Sequence, residues 1–83
     1  MPKIIIYSTA TCAYCKMLKS YLQSKDIAYD EKHADLDQSI AQELFDTSGQ
    51  LGVPFTVIEK ENGTEEKILG FDKNKIDLVL GIS

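Results

Sequence analysis

The feature that most constrains this chain is Thr11-Cys12-Ala13-Tyr14-Cys15-Lys16, which holds the only two cysteines in the sequence. An apolar run, Lys3-Ile4-Ile5-Ile6-Tyr7-Ser8, leads into it, and a stretch with helical periodicity follows. A strand, a short loop and a Cys-x-x-Cys at the start of a helix form a dithiol redox arrangement. The first turn of a helix has unpaired N–H groups and a partial positive charge. A thiolate there is stabilised, and its pKa falls from about 8.5 into a range of roughly 3.5 to 7.5. Cys12, on the outer side, is the expected nucleophile. Cys15 lies on nearly the same helix face, within the Cα separation of about 6.8 Å that a disulfide allows. It can resolve a mixed disulfide formed on Cys12. Lys16 adds a positive charge nearby.

Two plainer readings compete. A closed structural zinc site needs four ligands, whereas the chain offers two cysteines and one histidine, His33. The cysteines could instead be small core residues, but the strand–loop–helix setting argues against both readings.

With 83 residues the chain is expected to form one domain, residues 1–83, that buries only about 60% of its unfolded surface. Two cysteines are too few for a secreted disulfide scaffold. The apolar run after Lys3 is too short for a signal peptide and no span fits a membrane, so the expected location is cytoplasmic. Thirteen acids against nine lysines leave a net charge of −4, and there is no arginine. That balance argues against nucleic-acid binding.

Residues 3 to 8 read as a strand buried on both faces. Residues 13 to about 25 read as a helix whose stripe is Tyr14, Met17, Leu18, Tyr21 and Leu22. Met17, Leu18 and Leu22 are expected in the core, and Tyr14 either caps the core or lines a substrate groove. Residues 27 to 33 read as a second, more polar strand near an edge, with His33 as a solvated strand end. Asp35 and Gln38 fit a capping box for a helix at about 37 to 48, with Ile40, Ala41, Leu44 and Phe45 as its stripe and Gly49 as its stop. Pro54 opens the apolar run Phe55-Thr56-Val57-Ile58, where a proline is tolerated at a strand start; a cis bond there occurs in only about 5–6% of X–Pro cases. Residues 55 to 60 and 65 to 69 read as a hairpin turned at Asn62-Gly63. Asp72 is a natural N-cap for a last helix with Ile76, Val79 and Leu80 inward. The order β-α-β-α-β-β-α implies an α/β fold, a mixed four-stranded sheet flanked by three helices.

With these elements in place the chain resembles the glutaredoxin family of the thioredoxin fold over nearly its whole length. The resemblance rests on Tyr7-Ser8-Thr9-Ala10-Thr11-Cys12-Ala13-Tyr14-Cys15, the short size, Val53-Pro54, and Gly70-Phe71-Asp72 before the last helix. It implies a cis Pro54 facing Cys12, backbone pairing of Val53 with glutathione, and Phe71 and Asp72 holding the γ-glutamyl end. Thr9 and Tyr14 join the implied glutathione-binding set. The chain departs from the common pattern at Ala13 in place of proline, at Thr9 in place of a base, at Gly52 before Val-Pro, and at Leu69-Gly70 in place of Gly-Gly. The Gly-Phe resembles the hydrogen donors of ribonucleotide reductase, which thioredoxin reductase reduces.

The resemblance implies a monomeric thiol–disulfide oxidoreductase acting on disulfide-containing proteins or glutathione mixed disulfides. Cys12 and Cys15 would cycle through a redox-active disulfide, with glutathione as co-substrate and no metal or organic cofactor. The reductant would be glutathione or thioredoxin reductase. A 2Fe–2S cluster carrier and a redox-sensing binding module are the rival expectations.

Overall fold

The computed structural model describes residues 3–81. The elements are β1 (Lys3–Ser8), α1 (Ala13–Ser24), β2 (Asp30–His33), α2 (Gln38–Ser48), β3 (Phe55–Glu59), β4 (Glu65–Leu69) and α3 (Lys73–Leu80). The four strands form one sheet in the order β2-β1-β3-β4. β1 runs parallel to β2, with Ser8 opposite His33. It runs antiparallel to β3, with Tyr7 opposite Phe55, and β4 completes the hairpin beyond β3. This is the mixed four-stranded sheet that the element order implied, and the thioredoxin-type fold that the resemblance implied.

The strand alternation sorts the core into two layers. Ile4, Ile6, Ile58 and Ile68 face α1 and α3, where they meet Leu18, Leu22 and Ile76. Tyr7, Phe55 and Val57 point the other way and meet Leu44 of α2. Helices therefore cover both faces. The polar β2 is an edge strand, as its composition implied.

Four details differ from the sequence reading. β2 begins at Asp30, not at residue 27. The chain first leaves α1 through a turn in which Ile27 N–H bonds Leu22 C=O (2.9 Å) and Asp26 N–H bonds Gln23 C=O (3.1 Å). Asp26 takes φ 55° there, and Ile27 and Tyr29 pack on the core before pairing starts. The cap of α2 is Asp37, whose carboxylate accepts from Ser39 N–H at 2.9 Å; Asp35 is engaged elsewhere, so the capping box is not formed. Met17 is 49% exposed and Phe45 50%. A sheet of strands four to six residues long covers only a narrow strip of each helix. That strip is Cys15, Leu18 and Leu22 on α1 and Leu44 on α2.

Gly49 closes α2 in the left-handed region at φ 78°, and Gly63 turns the hairpin at φ 88°.

Candidate active site

β1 ends at Ser8, and the chain turns across the end of the sheet before α1 starts. Three bonds shape that turn. Ala34 N–H donates to Ser8 C=O (2.9 Å) and Cys12 N–H to Thr9 C=O (3.3 Å). Ala10 N–H donates to the Asp35 carboxylate at 3.0 Å. The loop is thus tied to the segment that joins β2 to α2.

Cys12 is the N-cap of α1, with extended backbone (φ −84°, ψ 108°). Its sulfur accepts the Cys15 N–H at 3.1 Å, and its carbonyl accepts the Lys16 N–H at 3.3 Å. The two sulfurs are bonded to each other, with Cα atoms 5.2 Å apart. Cys15 is fully buried, whereas Cys12 is partly open. No acidic side chain lies in the first turn of α1, so nothing there opposes a negative charge on Cys12. The arrangement can hold a thiolate on Cys12, the less buried of the pair, and keep the Cys15 sulfur behind it.

The other residues singled out in the sequence lie on two further segments at the same end of the sheet. The Val53–Pro54 bond is cis. Pro54 is buried and directly precedes Phe55, the partner of Tyr7. Among the described residues, the N–H and C=O of Val53 pair with no other backbone group. Pro54 C=O accepts the Gly70 N–H at 2.8 Å, which fastens the third segment beside the second. Gly70 takes φ 79°, a conformation that suits a residue without a Cβ. Tyr14, which is 63% exposed, faces Leu69, Gly70, Phe71, Asp72, Lys73 and Asn74 across an open cleft of about 580 Å³. The Asp72 carboxylate caps α3 through Lys75 N–H (3.0 Å). The Phe71 ring lies 6.0 Å from that of Tyr21. Tyr21 in turn donates to Asp77 of α3, which Lys73 also meets at 3.0 Å.

Thr9 contributes its carbonyl to the loop, and its side chain is half-buried. His33 ends β2, with Nε2 3.6 Å from Glu31. Sequence reasoning missed the polar group beneath the loop. Ser8 Oγ donates to Glu31 at 2.7 Å, and Lys19 pairs with the same oxygen at 2.7 Å. Burial raises the Glu31 pKa, but hydrogen bonds from Lys19 and Ser8 and the charge of Lys19 outweigh it and hold the carboxyl below its ordinary range. It also gave Asp35 to a helix cap instead of to the loop. Both depend on the β1–β2 register, which a strand polar on both faces does not announce. Among the described residues no group of three or more His, Cys, Asp or Glu could hold a metal ion.

The glutaredoxin family model matches residues 4–62; the match stops before the Gly70–Asp72 segment. A glutaredoxin-like 8.6 kDa protein of the rubredoxin operon of Clostridium pasteurianum is 38% identical over 77 residues, covering 93% of this chain and 96% of its own. Glutaredoxin 3 of Escherichia coli K12 is 31% identical over 62 residues, 75% of either chain. Among solved structures, the thioredoxin-like protein BC3987, in a variant form, superposes with a TM-score of 0.84 at 28% identity over the whole of both chains. The methanoredoxin of Methanosarcina acetivorans superposes at 0.81 with 24% identity, over 96% of this chain and 85% of its own, which is a likeness of fold.

Proposed function

Because the chain belongs to the glutaredoxin family, we propose that it reduces protein disulfides or glutathione mixed disulfides through Cys12 and Cys15. One observation carries this reading: Cys12, the less buried of the pair, caps α1 through a sulfur that receives the Cys15 N–H, while Cys15 itself is buried.

In the reduced protein the Cys12 thiolate attacks one sulfur of the substrate disulfide. That S–S bond breaks, and the first substrate thiolate leaves and takes a proton from solvent. Cys15 loses its proton and attacks the Cys12 sulfur. The second substrate thiolate leaves, and Cys12 and Cys15 remain joined. Two electrons have passed from the protein dithiol to the substrate. Two thiols of glutathione, or one dithiol of a reductase, return them.

Glutathione fits the three segments in outline. Its extended backbone meets the unpaired N–H and C=O of Val53. Its γ-glutamyl end enters the cleft beside Phe71 and Asp72, where the N-terminus of α3 favours a carboxylate. Thr9, Tyr14 and Pro54 border it. Such a cycle belongs in a reducing compartment such as the cytoplasm, and among the described residues no helix is long and apolar enough to cross a membrane.

A second reading, reduction by thioredoxin reductase, draws on the charge map. Thr9 offers no cation to the glycine carboxylate of glutathione. Of the three groups that could replace it, the Gln50 amide is turned onto Gly52 and Ser48 and Lys73 is paired with Asp77, which leaves Lys16.

The test offers the oxidised protein glutathione in one cuvette and thioredoxin reductase with NADPH in another, and counts freed thiols with time. Reduction by glutathione supports the first reading, and reduction by the reductase alone supports the second. Cys12→Ser should abolish turnover of every disulfide, whereas Cys15→Ser should retain only reactions that glutathione can resolve. Normal turnover by Cys12→Ser would sink the mechanism.

A further inference from the structure

We propose that the outer face of α2 docks the protein substrate, taking a segment whose apolar side chain is flanked by lysine or arginine. This rests on the oxidoreductase reading above.

An open groove of about 300 Å³ runs along α2, lined by Gln38, Ala41, Gln42, Phe45 and Leu51. The four helical residues follow the spacing of one helix face. Phe45 is 50% exposed and Leu51 61%, although Leu44 alone supplies the fully buried contact of α2. Two large apolar groups therefore share a groove that the fold does not use, the kind of surface that accepts an anchor side chain.

Charge says what flanks the anchor. The segment 34–58 carries Asp35, Asp37, Glu43 and Asp46 and no lysine; the rest of the chain has nine lysines and nine acids. All of the net charge of −4 thus resides around α2. Lys32 neutralises Glu43 at 2.7 Å, and Lys67 reaches only the Thr47 carbonyl at 3.4 Å. The remaining three carboxylates bond neutral donors: Ala10 N–H on Asp35, Ser39 on Asp37 and the Gln42 amide on Asp46. Asp35 and Asp37 stand at the Gln38 end of the groove, and Asp46 adjoins Phe45. A segment with cations on both sides of its anchor matches this pattern, and an acidic one is repelled.

The position suits a substrate. Asp35 holds the loop two residues before Cys12. Leu51 is three residues from Pro54, a reach of about 10 Å. The groove lies on the α2 side of the sheet, away from the cleft at Tyr14 and Asp72, so both can be filled at once.

The test measures the same protein with three substrates: bis(hydroxyethyl) disulfide, a disulfide peptide with leucine between lysines, and its counterpart with leucine between glutamates. Binding of cysteine-to-serine versions of both peptides is followed by fluorescence anisotropy, independently of turnover. The lysine peptide should have a KM about tenfold below the glutamate peptide, and the gap should shrink between about 50 and about 300 mM salt. Phe45→Ser and Asp46→Lys, both at exposed positions, should raise the KM of the lysine peptide about fivefold, with kcat and small-disulfide turnover unchanged. Equal binding of the two peptides, or variants that match the parent, would overturn the proposal. So would sedimentation as a dimer that Phe45→Ser converts to a monomer, since Phe45 would then be covered by a second copy of the chain. Failure to turn over the small disulfide would instead overturn the oxidoreductase reading.

Discussion

Thr56 is the second residue of β3, 1% exposed, between Ile6 and Ile68 on the neighbouring strands. Its hydroxyl is buried and, among the described residues, has no hydrogen-bond partner. A buried unpaired hydroxyl loses its water without compensation. Thr56→Val keeps the shape and the β-branch and should stabilise the protein by about 1 kcal/mol, read as a higher urea midpoint at unchanged m. Glu31 gives a complementary case. Its carboxyl is held below the ordinary range, so the unfolded chain takes up the proton first as pH falls. The stability it contributes is therefore full above about pH 4.5 and declines below it. Urea melts of the parent and Glu31→Gln should differ at pH 6 and converge in acid; a constant gap would place the effect elsewhere. Both features were invisible in the sequence, since each depends on which strand faces which.

The helix boundaries show where local signals suffice and where they do not. Asp72 and Gly49 act as the cap and stop that their positions implied, because those signals need only their own neighbours. Asp35 fitted a capping box equally well but is drawn off to Ala10, a contact across 25 residues that no local pattern contains. The end of α1 is another such place. Asp26 holds φ 55°, a conformation that costs an L-residue roughly 1–2 kcal/mol and glycine little. Asp26→Gly should raise stability by about 0.5–1 kcal/mol after the entropy that glycine loses on folding. Thermal melts would check it, and a lower Tm would show that the aspartate side chain contributes something unseen in the turn. The exposed Met17 and Phe45 mark the limit of periodicity itself. It gives the phase of a stripe, not how much of that stripe a small sheet can cover.

At the scale of the molecule, β1 and β3 belong to both core layers at once. The two layers should not unfold separately. Leu18→Ala and Leu44→Ala, one from each layer, should each cost about 2–5 kcal/mol. Circular dichroism and tyrosine fluorescence should give coincident transitions in both variants. Separate transitions would show that the helices on the two faces are held independently. The general plan was legible because element order restricts topology strongly. The assembly of the site was less so, since its segments meet only when the central strands pair. That dependence reaches into synthesis. Cys15 leaves the ribosome some 40 residues before Phe55, the first residue of the strand that β1 pairs with. At about 5–20 residues per second the interval lasts roughly 2 to 8 s. A growing chain thus presents both thiols with no finished sheet behind them, and the environment in which it is made decides whether they arrive in the fold reduced.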